Sequence, residues 1–195
     1  MESDPNIGLF VNSRRGVVRV GLLYADQPLG KSDTFDSFLS LPSLLQTMLS
    51  TTNGTLASLV QTLDKFHPPD DGKRAVTTLS AKASYDLYAD IHRSWQDRVS
   101  GLAESVDLHF TIQPIGTACV QAGQDHGGNI LGLEKVPQCW FVFTAEWLSD
   151  EHDTDVNKAR ADITEKAHKL ASESGLILSF QCLNLAHASQ KALGS

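Results

Sequence analysis

The sequence predicts an α+β fold, an antiparallel-dominated sheet with helices on one face, and three observations carry that expectation. Residues 106–113 alternate apolar and polar side chains, and residues 139–148 (CWFVFTAEWL) are the most apolar run in the chain, so both read as central strands. Two long stretches with helical spacing, from a Ser84 cap to Leu102 and from Asp150 to Ser174, supply the helices. The connection between the two central strands holds no full crossover helix, which parallel pairing would need.

Taken in order, residues 1–15 are expected to form a flexible lead-in and residues 16–195 a single domain. Residues 16–24 (GVVRVGLLY) are β-branched enough for a first strand, and residues 26–33 read as a turn. Pro42 interrupts the apolar stretch from Thr34 to Met48, which predicts short helical turns there. A helix over residues 55–66 places Leu56, Leu59, Val60 and Leu63 on one stripe, and the prolines and glycine of residues 67–73 (HPPDDGK) end it. Residues 74–82 form the second strand, and the following helix carries Leu87, Ile91, Trp95, Val99 and Leu102 on its buried stripe. Pro114, which cannot donate to a ladder, is expected to stop the third strand. The longest helix opens on acidic residues that suit its dipole and ends before Gly175, and residues 176–185 form the last strand.

Composition narrows the function classes. The chain has 195 residues, 41% hydrophobic, enough for a sizeable core. Its net charge is −7 and its 16 Lys and Arg are scattered, so no phosphate-binding stripe is visible and nucleic acid is not an expected partner. No run reaches the roughly 18 apolar residues of a membrane span, and MESDPNIG lacks the parts of a signal peptide. The expectation is a soluble, cytoplasmic protein without membrane insertion. Three widely spaced cysteines, Cys119, Cys139 and Cys182, each in or beside an apolar run, fit buried thiols better than a disulfide framework or a zinc site.

Alternation divides the chemistry. On the first central strand Val106, Leu108, Phe110 and Ile112 share one face, and Asp107, His109, Thr111 and Gln113 the other. On the second, Phe141, Phe143, Ala145 and Trp147 oppose Trp140, Val142, Thr144 and Glu146. Either the polar row faces water, as half-solvated antiparallel sheets do, or it meets a ligand. His126 stands apart in QDHGGN, where Gly127 and Gly128 either satisfy a turn or bring backbone close to a ligand.

Five strings, FDSFLSLPSL at 35–44, TIQPIG at 111–116, GGNILGLE at 127–134, FTAEWLSDEHD at 143–153 and CLNLAHASQ at 182–190, together resemble the C-terminal half of fungal FAD-linked oxidases of the berberine-bridge-enzyme-like type. The resemblance runs in order from about Gly16 to Gln190. It implies a substrate domain whose sheet carries helices on one face and covers flavin and substrate with the other. The FAD-binding half has no counterpart in these residues, and the glycines at 127–128 follow no strand–helix unit of the dinucleotide type. Leu185 stands where the closing Leu-Asn-Tyr-Ala pattern of the family has tyrosine.

The resemblance and its departures imply a protein that uses neither a cofactor nor a metal. The expected function is a cofactor-free isomerase or cyclase, for example of Diels–Alder type, on a hydrophobic fungal secondary-metabolite intermediate. The alternatives are an accessory or substrate-binding subunit of a split FAD-linked oxidase, and an inactive truncated remnant. On the family-like orientation His109, Gln113, Glu146 and His126 are the catalytic candidates. Thr111, Trp140, Thr144 and Asn184 are the substrate-binding ones. Paired strands would bring His109 towards Glu146, an acid–base couple suited to neutral pH, with Gln113 or Asn184 donating to a carbonyl oxygen. For each residue alone, the ordinary alternative is that Glu146 pairs with a basic neighbour and His109 is satisfied within the sheet. An apolar face left uncovered would favour a homodimer.

Overall fold

A computed structural model describes residues 2–26, 33–65, 72–128 and 131–190. The chain divides into two compact units, Tyr24–Asp71 and the combination of Met1–Leu23 with Gly72–Ser195, where the sequence suggests one domain from residue 16. The second of these carries the sheet.

The flexible lead-in expected over residues 1–15 is instead largely a strand, β1 (Ile7–Arg14), joined to β2 (Val17–Tyr24) through Arg15 and Gly16. Gly16 adopts φ +75°, a left-handed conformation that costs a glycine little. Gly21 leaves room for the Phe10 ring that lies over it, so the hairpin is pinned by a side chain on a bare backbone position.

In the smaller unit, α1 (Asp36–Leu39) and α2 (Leu56–Asp64) are the helical elements. Thr55 caps α2 reciprocally: its Oγ1 accepts from the Ser58 N–H at 3.2 Å while Ser58 Oγ accepts from the Thr55 N–H at 2.9 Å. The apolar stripe expected to be buried is not. Leu56, Val60 and Leu63 are exposed and Leu59 is half-buried. Residues 27–32 of the expected turn and 66–71 of the expected helix end and loop lie outside the described residues.

The larger unit continues with β3 (Lys73–Lys82), α3 (Tyr85–Ser100), β4 (Asp107–Ile115), α4 (Thr117–Asp125), β5 (Gln138–Trp147), α5 (Asp153–Glu173) and β6 (Ile177–Leu178). A 3-10 turn over Asp150–His152 leads into α5, so the longest predicted helix is present with a tightened first turn. Helix α4 was not expected. At nine residues it is too short for a parallel crossover, and β4 and β5 pair antiparallel across it. Pro114 does not stop β4, which runs on to Ile115. The register with β1 covers only Phe110–Ile112, so Pro114 sits where β4 is paired on one side and a missing N–H is tolerated.

Among the described residues six strands lie in the order β2-β1-β4-β5-β3-β6. The pairs β1–β4, β4–β5, β5–β3 and β3–β6 are antiparallel. The last strand is much shorter than the alternation over 176–185 suggests. Beyond β6 the edge of β3 is satisfied by a side chain: the Thr78 N–H donates to Gln190 Oε1 at 3.1 Å and Gln190 Nε2 donates to the Thr78 carbonyl at 2.6 Å. A carboxamide takes the place that a longer β6 would occupy.

Register places Phe110 opposite Phe143 and Leu79 opposite Phe141, so these side chains share one sheet face with Leu108, Ile112 and Ala145. Helices α3 and α5 pack on each other and on this same face, closing one core around Ile91, Trp95, Phe110, Phe143 and Ile163. Leu87, Ile91, Trp95 and Val99 are buried as the helical stripe predicts. The Trp95 ring meets Phe110 edge-on at 5.3 Å and its Nε1–H donates to the Leu108 carbonyl at 2.9 Å, so its one polar atom is not stranded.

Phe143 is fully buried, 6.0 Å from the Phe110 ring, and is the central apolar contact of the two middle strands. Phe143→Ala is expected to cost about 3–5 kcal/mol through the cavity it leaves, measured by urea unfolding followed by circular dichroism. A loss below about 1 kcal/mol would show that the face assignment is wrong.

Candidate functional site

The face opposite α3 and α5 is built by the same alternation that builds the core. Residues Asp107, His109, Thr111 and Gln113 of β4 stand there beside Trp140, Val142, Thr144 and Glu146 of β5, with His109 paired to Thr144 and Asp107 to Glu146. Arg74 of β3 is opposite Glu146, and Asn12 of β1 is opposite Thr111. Four strands, β1, β3, β4 and β5, therefore bring polar and charged groups to one spot.

His109 is at its centre, 6% exposed. Its Nδ1 is 2.9 Å from Asn12 Nδ2, which also donates to Thr111 Oγ1 at 2.8 Å. The orientation of the Asn12 amide is settled by Arg14, whose Nε donates to Asn12 Oδ1 at 3.1 Å. A guanidinium has only donors, so the oxygen of Asn12 must face Arg14 and its nitrogen must face the imidazole. Nδ1 of His109 then faces an amide donor, and Nε2 faces a carboxylate oxygen on one side and a guanidinium nitrogen on the other. Nε2 is 3.8 Å from Glu146 Oε2 and 3.2 Å from Arg14 Nη2.

Glu146 meets two guanidiniums. Arg74 reaches its Oε1 with Nε at 2.9 Å and Nη2 at 2.8 Å, and Arg14 Nη2 is 3.7 Å from Oε2. Arg14 also binds the Asp107 carboxylate. The contact with His109, followed by the charge of Arg74, holds the Glu146 carboxyl at a pKa of about 2, against the burial that pushes it up. Two arginines and two carboxylates balance, leaving a buried imidazole in a neutralised ring of charge.

Asp107, His109 and Glu146 offer ligand atoms within 4.8 Å of one another, a spacing that suits a divalent cation. The guanidinium of Arg14 already touches all three, however, and it is the positive charge of this cluster.

The other candidates divide. Thr111 and Thr144 belong to the cluster by contact or register. Trp140 and Gln113 are opposite each other on the same face; the ring of Phe180 stacks on Trp140 at 4.6 Å, and Trp140 Nε1 donates to Gln138 Oε1 at 3.2 Å. Gln113 is exposed. His126 is exposed just past α4 with its Nδ1 2.7 Å from the Ala122 carbonyl, and Asn184 is exposed with Oδ1 accepting from Cys182 Sγ at 2.9 Å, contacts that join neither to the cluster. Nor is this face an open apolar concavity: Thr78, Ser80 and Val142 are buried on it, and its centre is ionic.

Arg14, Asn12 and Arg74 were missed by sequence reasoning. Period two puts Phe10, Asn12 and Arg14 on one face just before the Arg15-Gly16 turn, but no apolar–polar alternation marks the stretch.

The residues described do not fit a flavin dinucleotide. Its pyrophosphate needs backbone N–H groups at a helix start, whereas Gly127 and Gly128, at φ +108° and +116°, follow the carbonyl end of α4. The start of α4 is taken by the Glu2 carboxylate, which accepts from the Thr117 N–H at 3.2 Å and its hydroxyl at 2.7 Å.

Set beside known proteins, the chain is similar to fungal FAD-dependent monooxygenases. It is 29% identical over 176 residues to one from Arthrobotrys oligospora, covering 90% of this chain and 34% of that protein. It is 25% identical over 163 residues to one from Penicillium terrestre, covering 83% of this chain and 31% of the relative. A bifunctional solanapyrone synthase from Alternaria solani is 23% identical over 169 residues, 87% of this chain and 32% of that enzyme. The chain thus spans about a third of the length of the curated relatives it matches. No protein-family model matches it, and no solved structure does. The relatives are enzymes, and no helix among the described residues is long and apolar enough to cross a membrane.

A pH dependence follows from Glu146. Its carboxyl titrates in the folded protein at about 2 instead of the ordinary 4.5, so the stability it adds is complete above pH 4.5 and drains away as pH falls from there to 2. Urea unfolding between pH 6 and pH 2.5 should show Glu146→Gln losing less stability over that range than the unmodified protein. Equal losses would place the charge coupling elsewhere.

Proposed function

We propose that the chain supplies the substrate-binding wall of a fungal FAD-dependent oxidase-type enzyme that acts on a hydrophobic secondary metabolite, with His109 and Glu146 as its acid–base pair. The observation that carries this reading is the convergence of a buried imidazole, an ionised carboxylate and two guanidiniums on the face opposite α3 and α5. Its support from outside is that 83–96% of the chain aligns with about a third of each FAD-linked relative. Holding the dinucleotide falls to residues other than those described, and the chemistry assigned here is what this face does alone.

A substrate oxygen entering beside Glu146 meets the Nη2 of Arg14 and the imidazole edge of His109. The guanidinium donates, so a carbonyl there is polarised and an alkoxide or enolate is stabilised as charge develops. A substrate hydroxyl can give its proton to Glu146, whose low pKa keeps it ready as an acceptor but a weak base. Thr111, Thr144, Trp140 and Gln113 line the approach. His126 and Asn184 have no part in proton transfer on this reading.

One observation favours a second reading. The donors that polarise a carbonyl are complete within this chain, and a cycloaddition or isomerisation needs little else than such donors and a shaped surface. On that reading the protein is a cofactor-independent cyclase, of Diels–Alder type for example. The similarity to a bifunctional synthase is compatible with it.

The test supplies the chain with the flavin-loaded FAD-binding part of the Arthrobotrys oligospora relative and a panel of hydrophobic polyketide alcohols, aldehydes and dienes. Oxygen uptake is expected only when both proteins are present. His109→Ala should lower turnover by about 10- to 1,000-fold in a protein that still folds, as circular dichroism and a single cooperative melt would show. Product formed by the chain alone under argon, without flavin, would establish the second reading. Unchanged turnover in His109→Ala would remove the imidazole from the mechanism in either case.

A further inference from the structure

The two edges of the sheet are finished differently. At one, β6 pairs with Ser80 and Ala81 of β3, and the Gln190 carboxamide holds Thr78 beyond it. At the other, β2 ends the sheet, and among the described residues Val18, Val20 and Leu22 make no hydrogen bond on its outer side.

Which groups point outward follows from the hairpin. Only Arg15 and Gly16 separate β1 from β2, the Gly8 backbone lies against the Leu23 side chain, and the Phe10 ring covers Gly21. These contacts set Phe10 opposite Gly21, Asn12 opposite Arg19 and Arg14 opposite Val17. With a two-residue turn, the pair flanking the turn and every second pair after it exchange their hydrogen bonds. Val17, Arg19, Gly21 and Leu23 therefore direct their backbone at β1, and the N–H and C=O of Val18, Val20 and Leu22 face away from the sheet. The other registers agree, because the same alternation, carried from β1 through β4 and β5, turns Thr78 of β3 outward, where Gln190 meets it.

The side chains do not guard this edge. Val18 is 53% exposed, Val20 40% and Leu23 46%, Arg19 is the one charge in the strand, and no proline interrupts it. Edge strands are ordinarily blunted by charge, proline or a bulge, and a long apolar one is a template for another strand.

We propose that β2 pairs antiparallel with β2 of a second copy of this chain about a two-fold axis at Val20, joining two six-stranded sheets into one. Val20 then meets the partner's Val20 and Val18 meets the partner's Leu22, each pair exchanging both hydrogen bonds, so every outward group of residues 17–23 is used. Val17 stands opposite the partner's Leu23, and Arg19 opposite the partner's Gly21. Apolar groups meet apolar groups, and no like charges face each other directly. An axis at Arg19 would set guanidinium against guanidinium and bring the inward-turned backbone to the interface. The edge is separate from the cluster around His109, and the pairing does not depend on the function assigned to that cluster.

Sedimentation of the full chain over about two decades of concentration, from micromolar upward, should show a monomer in equilibrium with a dimer. Hydrogen exchange read by NMR should show the Val18, Val20 and Leu22 amides slowing as the dimer forms, while those of Val17, Arg19, Gly21 and Leu23 are slow throughout. Val20→Pro removes the outward N–H at the axis and leaves the bonds to β1 in place, since proline is tolerated where the N–H faces solvent, and it should abolish the dimer. Val20→Lys sets two ammonium groups opposite each other and should raise the Kd about 10-fold or more; it serves as the test if Val20→Pro does not fold. A monomer at every concentration, a dimer in which those three amides stay unprotected, or an unchanged dimer in either folded variant would overturn the proposal.

Discussion

The Arg14 guanidinium is the interaction on which the polar face depends. Through it β1 is tied to Asp107 and His109 on β4 and to Glu146 on β5, across more than 90 residues of sequence. Without this cation Asp107 and Glu146, paired in register, would face each other with Arg74 as their positive neighbour, and like charges directly opposite on a sheet are destabilising. The half-buried setting matters here. Exposed ion pairs add little, but these groups are partly withdrawn from water, where opposite charges interact more strongly and an unpaired one is more costly.

Register is what allows a core and a charged cluster to share three strands. In β4 and β5 the pairs Phe110–Phe143 and Ile112–Phe141 look towards α3 and α5, and the pairs that alternate with them, His109–Thr144 and Thr111–Val142, look the other way. A slip of one residue would exchange the faces, driving His109 and Glu146 under the helices and exposing two phenylalanines. The apolar face therefore does more than stabilise the fold: burial of Phe110 and Phe143 fixes which side chains reach the opposite surface.

The parts that could be read in the sequence are those whose signal is local and periodic. Strands β3, β4 and β5 show alternation, and α3 and α5 show an apolar stripe with caps, so the core and the approach of His109 to Glu146 were both visible in the order of residues. The ordinary alternative for Glu146 also holds, because Arg74 pairs with it. What escaped depends on partners far away in sequence. Strand β1 gains its place between β2 and β4, and its pairing with β4 is across nearly 100 residues, which no local pattern announces. The shortened β6 depends on one glutamine side chain, Gln190, reaching Thr78. The stripe of α2 shows the converse, a periodic signal whose side chains remain exposed.

The missed strand has a chemical consequence, because Asn12 decides which edge of His109 faces Glu146. Arg14 Nε holds the oxygen of Asn12, so the amide nitrogen is directed at Nδ1 of His109 and at Thr111 Oγ1. The Nε2 edge of the imidazole consequently faces Glu146 and Arg14. The polarity of the face, a guanidinium and an imidazole around one ionised acceptor at Glu146, is thus determined by the side chains of two residues on a strand that is not a neighbour of β5 in the sheet.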